Sequence, residues 1–79
     1  KPGFGCPQLF HHIEAMNFEE IYLCGLVTDI CVFVNALIAK SAANPYAKIF
    51  VYKDACATFN KEMEETVYKV LDYLHIEII

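Results

Sequence analysis

Arginine is absent from this chain of 79 residues, and its six basic residues are all lysines. The absence excludes phosphatase-type sites, in which an arginine after a nucleophilic cysteine holds phosphate through two hydrogen bonds. Ten acidic residues leave a net charge of −4. A chain with this charge and without arginine is not expected to bind nucleic acid.

Several other features are also scarce. The one serine, Ser41, lies within an apolar helical run, so the nucleophile elbow of serine hydrolases is absent. The four cysteines contain no C-x-x-C pair, which argues against structural zinc and thioredoxin-like chemistry and favours free thiols. The longest apolar stretch without a charge, Ile30–Ala39, is about half the roughly 20 residues that a membrane helix needs. No signal peptide opens the chain, so we expect a cytoplasmic protein without a membrane partner.

Apolar residues, by contrast, are abundant. Hydrophobic residues make up 57% of the chain, and the mean hydropathy is +0.36. A domain this short buries only about 60–65% of its unfolded surface, so this composition is too apolar for a self-contained unit. We therefore expect part of a larger fold, which forms a homo-oligomer or associates with a missing N-terminal portion.

The hydrophobic pattern predicts alternating helices and strands. A loop at residues 1–5 precedes a helix from Pro7 to Asn17, and a buried strand at Ile21–Gly25 follows. Thr28 or Asp29 is expected to cap a second, largely apolar helix that ends near Ala43. The remaining expected elements are a strand at 48–53, a loop at 54–59, a helix capped by Asn60 with a buried stripe of Met63, Val67, Val70, Leu71 and Leu74, and a strand at 76–79.

This alternation, with strands apolar on both faces, is typical of a parallel sheet covered by helices. Three such strands make a poor independent sheet. We therefore predict an α/β fold, the second half of a three-layer α/β/α (Rossmann-like) sandwich whose other strands precede Lys1.

Cys31 is the strongest candidate for chemistry, because it lies where the first strand turns into the second helix. Ligands bind at the carboxyl ends of strands in such sheets. The free N–H groups of a helical first turn favour a thiolate and bind an oxyanion. The nearby Asp29 carboxylate disfavours the thiolate form of Cys31, so a basic residue close to the thiol would help to stabilise it. Lys1 is the only lysine outside the later elements and is the candidate for that role.

Packing is the alternative for each candidate. Free cysteine is among the most buried residue types, so spacing alone leaves Cys31 open and assigns Cys24 to the core. Cys6 and Cys56 are placed in loops without a chemical role. The three histidines, His11, His12 and His75, are assigned to the surface. The acids Glu62, Glu64 and Glu65 are interpreted as a solvated first turn of the third helix.

The segment Tyr22–Val32, YLCGLVTDICV, resembles the nucleophile motif of the isochorismatase-like cysteine hydrolases, the superfamily that contains the nicotinamidases. Its core is Gly, an apolar residue, a small residue, then Thr-Asp-x-Cys-Val. The segments at 35–37, 54–57 and 1–9 also resemble family segments, the last being the loop of the catalytic lysine. The similarity covers the whole chain and matches the C-terminal part of one such domain, residues 1–79.

The resemblance implies a Cys–Asp–Lys triad in which Cys31 is the nucleophile and Lys1 the lysine. It also implies a cis peptide bond between Leu26 and Val27, with the backbone N–H groups of Val27 and Cys31 forming the oxyanion hole. The family's aspartate follows an earlier strand, a position held by none of the aspartates here. A zinc or other divalent metal site would likewise lie upstream, so we expect no cofactor within this chain.

Two functions therefore remain open. The first is a hydrolase of amidase type that cleaves a small amide, such as nicotinamide, through a thioester on Cys31. The second is a non-catalytic fragment or interaction subunit that retains the fold. A nucleotide-binding half is disfavoured, because the turn has one glycine where the dinucleotide fingerprint has three.

Overall fold

The computed structural model describes residues 7–79, which form three α-helices packed against a three-stranded sheet. The predicted loop at residues 1–5 lies outside the described residues. In chain order the elements are α1 (Pro7–Met16), β1 (Glu20–Leu26), a π-helical turn (Thr28–Val32) leading directly into α2 (Phe33–Ala42), β2 (Lys48–Ala57), α3 (Lys61–Tyr73) and β3 (Glu77–Ile78). None of the helices within residues 7–79 combines the length and apolar character needed to cross a bilayer.

The sheet has the order β1-β2-β3, and both pairs of neighbouring strands are parallel. This confirms the predicted α/β class and is compatible with part of the three-layer sandwich. The register between β1 and β2 shifts beyond Leu23, which pairs with Val51, so that Gly25 then pairs with Cys56. The irregularity keeps the carboxyl ends of the two strands side by side, where the candidate site lies.

One hydrophobic core joins all three helices to a single face of the sheet. Its buried members are Ile13, Val32, Ala36, Ala39, Ala42, Ile49, Val51, Val67, Leu71 and Ile76. Helices α1 and α2 have four buried residues between them, and three of these are alanines of α2. Small side chains there let α2 approach its neighbours closely. The π-helical turn is continuous with α2, so the packing of α2 also holds the turn in place.

The opposite sheet face carries an aromatic cluster formed by Tyr22, Phe50 and Tyr52. The Tyr22 ring stacks on Phe50 with centroids 4.7 Å apart, and it lies 5.9 Å from the Tyr52 ring. Both tyrosines are about half exposed. Cys24 is exposed as well, so its assignment to the core was wrong. Side chains alternate along a strand, and the helices described here cover only the other face.

The bounds of several elements differ from the prediction. β2 continues to Ala57, so residues 54–57 are strand rather than loop, because Cys56 and Ala57 resume pairing with β1. β3 is limited to two residues, and His75 lies in the turn before it with φ of 65°. Within α3, Met63 and Val70 are substantially exposed, whereas Val67 and Leu71 are buried as expected.

Candidate functional site

Cys31 lies in the π-helical turn that follows β1. The Val27 carbonyl accepts hydrogen bonds from the backbone N–H groups of Ile30, at 3.1 Å, and Val32, at 3.2 Å. These two donors flank Cys31, whose side chain is partly exposed. The peptide bond between Leu26 and Val27 is cis. The thiol is therefore accessible at the carboxyl end of the sheet, in the first turn of a long helical segment.

Gly25, near the end of β1, adopts an unusual backbone conformation just before this turn. Its φ of +124° lies in the region that side-chain-bearing residues rarely adopt. A Cβ atom at this position would meet no atom within 4 Å. Glycine is therefore required here for its backbone conformation and not for space.

Thr28 and Asp29 do not cap the helix, contrary to the sequence prediction. The capping position falls on Val27, without a side-chain hydrogen bond. Both side chains instead bond to residues at the end of β2, just after it and in α3. Long-range partners thus replaced the local bond that the sequence pattern favoured.

The partners of these two side chains lie 29 to 36 residues along the chain. The Thr28 hydroxyl donates to Glu64 Oε2 at 2.8 Å and lies 3.1 Å from the Ala57 carbonyl oxygen. The Asp29 carboxylate accepts a hydrogen bond from the Thr58 hydroxyl. Two successive residues of the turn, Thr28 and Asp29, therefore form hydrogen bonds with the stretch from the end of β2 to the first turns of α3.

Glu64 was expected in a solvated turn and is in fact buried, with 8% of its surface exposed. It lies on the core-facing side of α3, three residues before Val67 and seven before Leu71. That i, i+3, i+7 spacing is the signal by which the sequence could have revealed it. The lysine nearby, Lys61, approaches Glu64 Oε1 at 3.6 Å from a largely exposed position.

Cys56 lies beside the turn, paired with Gly25 in the sheet. Burial raises the pKa of the Cys56 thiol above its ordinary value of 9.0, and a backbone hydrogen bond with Gly25 partly offsets this. The nearby Cys24 and Glu64 raise this pKa further. Cys56 therefore remains a neutral thiol at physiological pH, unsuited to nucleophilic attack.

An apolar hollow of about 240 Å³ opens beside the cis peptide bond. It is lined by Leu26, Val27, Ala57, Thr58 and Phe59. The Phe59 side chain is fully exposed, and 70% of the Leu26 surface is exposed. The sequence analysis did not single out Phe59. The available signal was its position two residues after the end of β2, whose last residue pairs with Leu26 of β1.

The other candidate residues do not assemble with Cys31 in the part of the chain that is described. Lys1 and Cys6 lie outside the described residues. All three histidines are exposed, and His11 faces Glu14 at 3.8 Å on α1. Within residues 7–79, no three His, Cys, Asp or Glu side chains are grouped as a metal ion requires. The described residues therefore supply no ligand set for a divalent metal, whose site the family resemblance places upstream.

Comparison with known protein families gives a match. The family model of the isochorismatase domain matches residues 3–79. No curated protein and no solved structure matches the chain.

Proposed function

The chain belongs to the isochorismatase domain family, and on that premise we propose that it is a cysteine hydrolase acting through Cys31. The observation that carries the proposal is the position of Cys31, partly exposed in the π-helical turn that follows β1 at the carboxyl end of the parallel sheet. The N–H groups of a first helical turn stabilise negative charge on sulfur and on a carbonyl oxygen under attack.

The proposed reaction is acyl transfer through a thioester. The Cys31 thiol loses its proton to a general base, and its sulfur bonds to the carbonyl carbon of an amide. The oxyanion is held by the backbone N–H groups of Val27 and Cys31. The C–N bond then breaks, the leaving amine takes the proton, and water cleaves the thioester to release the acid and restore the thiol.

Small amides with a single aromatic ring, such as nicotinamide, are the proposed substrate class. The hollow lined by Leu26 and Phe59 supports this choice, since its walls are apolar and it borders the proposed oxyanion hole. Its volume of about 240 Å³ suits a single ring rather than a large substrate. These properties favour the nicotinamidase-like branch of the family.

The remaining triad members are proposed by family resemblance. Lys1 is the lysine that stabilises charge on the thiolate and the intermediate. The general base is proposed to be an aspartate that is absent from these 79 residues, since none of Asp29, Asp54 and Asp72 holds the family's position and the Asp29 carboxylate already accepts the Thr58 hydroxyl. We accordingly propose that residues 1–79 form the C-terminal portion of one hydrolase domain.

Alkylation by iodoacetamide at neutral pH, followed at each cysteine by peptide mass mapping, tests the role of Cys31. Cys24 is an internal control, because it is exposed but lies in a strand. We expect Cys31 to be alkylated several-fold faster than Cys24. Equal rates, or a faster Cys24, would contradict the proposal, and Cys31→Ser verifies the assignment of the fast site.

A non-catalytic interaction subunit is the second candidate, favoured by the aromatic cluster of Tyr22, Phe50 and Tyr52, in which both tyrosines are about half exposed. Under this alternative the chain self-associates through the cluster, and Cys31 has no special reactivity. Sedimentation over a range of concentrations measures association in the native chain and in Tyr52→Ser. Tyr46→Ser is the matched control, because Tyr46 is 91% exposed and lies outside the cluster.

A further inference from the structure

Thr28, the first residue of the π-helical turn, is completely buried, and its hydroxyl lies between two acceptors. Glu64 Oε2 is at 2.8 Å and the Ala57 carbonyl oxygen is at 3.1 Å. A hydroxyl donates one hydrogen bond at a time. The carboxylate is the closer acceptor and, when ionised, the stronger one. The principal bond of Thr28 is therefore the one to Glu64.

Glu64 has little else to compensate for its burial. Its ion pair with Lys61 is long, at 3.6 Å, and the lysine side chain is 83% exposed, so solvent screens the attraction. The Tyr68 hydroxyl is 3.5 Å from Oε2, at the limit of a hydrogen bond. Burying a carboxylate is costly unless it is well bonded. The short bond from Thr28 is its best contact among those to described residues.

We propose that Glu64 is a positioning residue that fixes, through Thr28, the turn presenting Cys31. Thr28 lies three residues before Cys31 in the same turn. Glu64 lies in the first half of α3, between the cap residue Asn60 and the buried Val67. The hydrogen bond between Thr28 and Glu64 therefore holds the turn that bears Cys31 in a fixed position relative to α3. This inference rests on the proposed function, since it assumes that Cys31 is the reactive thiol.

Two changes at Thr28 separate positioning from simple packing. Thr28→Val keeps the shape of the side chain and removes the hydroxyl. Thr28→Ser keeps the hydroxyl and removes a buried methyl group. Thr28→Ser therefore disturbs the packing and keeps the bond to Glu64, whereas Thr28→Val loses the bond and keeps the packing. Thr66→Val is the control, because the Thr66 hydroxyl is exposed and, among the described residues, bonds to the Glu62 carbonyl of its own helix.

The measured quantity is the ratio of the alkylation rates of Cys31 and Cys24 in the same molecule. We expect Thr28→Val and Glu64→Met each to lower this ratio about fivefold, and the double variant to lower it no further, as for two partners of one hydrogen bond. Thr28→Ser, Thr66→Val and the exposed-site control Glu65→Met are expected to remain within about twofold of the native ratio. Urea unfolding of each variant reports stability separately.

The outcomes are distinct. A native ratio near one overturns the proposed function. A high native ratio that survives Thr28→Val and Glu64→Met, or that falls equally in Thr28→Ser, overturns the positioning role. If Thr28→Val or Glu64→Met does not fold, Glu64→Gln decides. Its amide is a weaker acceptor, so the ratio should fall about twofold below that of Thr28→Ser, and equal ratios overturn the inference.

Discussion

The Asp29 carboxylate accepts a hydrogen bond from the Thr58 hydroxyl, 29 residues further along the chain. The same hydroxyl accepts a bond from the Asn60 backbone N–H at 3.0 Å. Asn60 in turn caps α3 by accepting from Met63 N–H at 3.0 Å. A continuous chain of hydrogen bonds therefore runs from the turn that bears Cys31 to the start of α3.

Removing the Thr58 hydroxyl is expected to destabilise the fold. Thr58→Val should lower the free energy of unfolding by about 1 kcal/mol, because Asp29 and Asn60 both lose a partner. Thr58→Ser should retain the native value within about 0.5 kcal/mol. Urea denaturation followed by circular dichroism measures both, and equal losses in the two variants would show that the hydroxyl is not responsible.

Gly25→Ala tests the backbone requirement at the end of β1. We expect a loss of about 1 kcal/mol or more in the free energy of unfolding, because alanine is strained at φ of +124°. Crowding is not the cause, since a Cβ there has no neighbour within 4 Å. Thermal or urea unfolding provides the measurement, and a neutral substitution would contradict the conformational explanation.

Stability is expected to fall in alkaline solution because of Cys56. Its pKa is raised above 9.0 in the folded state, so the unfolded chain releases this proton at a lower pH than the folded chain does. The contribution of Cys56 is complete below pH 9 and is lost as pH rises from there through the folded pKa. Urea midpoints measured across this range should decline less in Cys56→Ala than in the native chain.

Tyr68 is the control for the alkaline experiment. Burial and the charge of Glu64 raise the pKa of Tyr68 above 10.0, so it produces a similar decline at higher pH. Tyr68→Phe should reduce the decline above pH 10 and leave the part near pH 9. Identical profiles in the native chain and Cys56→Ala would contradict the role of Cys56.

Phe59 is expected to select the acyl group. Phe59→Ser should slow benzoylation of Cys31 by para-nitrophenyl benzoate about threefold or more, because one wall of the apolar hollow is lost. Acetylation by para-nitrophenyl acetate should be unchanged, since a methyl group does not fill the hollow. Nitrophenol release reports both rates. If Phe59→Ser slowed benzoylation and acetylation equally, Phe59 would support the turn that bears Cys31 rather than contact the acyl group.

Turnover by these 79 residues alone is expected to be negligible. Triad members act as a unit, and loss of the general base commonly costs several orders of magnitude in rate. Incubation with nicotinamide and measurement of ammonia should give no signal above that of Cys31→Ser. Hydrolysis at a rate typical of whole enzymes would show that a residue within these 79 acts as the base.

Elements with local signals were predicted well. The Asn60 cap needs only the N–H group three residues later, and the buried positions Val67 and Leu71 follow from helical spacing. The end of β2 was missed, because its last residues carry no apolar alternation. Their strand conformation comes from pairing with Gly25 and Leu26.

The sequence by itself determined the alternation of helices and parallel strands and the position of Cys31 at a strand-to-helix turn. It did so because hydrophobic periodicity and caps depend on residues a few positions apart. Only the tertiary structure decided that Thr28 bonds to Glu64, that Asp29 bonds to Thr58 and that Cys24 is exposed. Those outcomes depend on which face of the sheet the helices cover and on how α3 packs against the turn, and no local pattern encodes either.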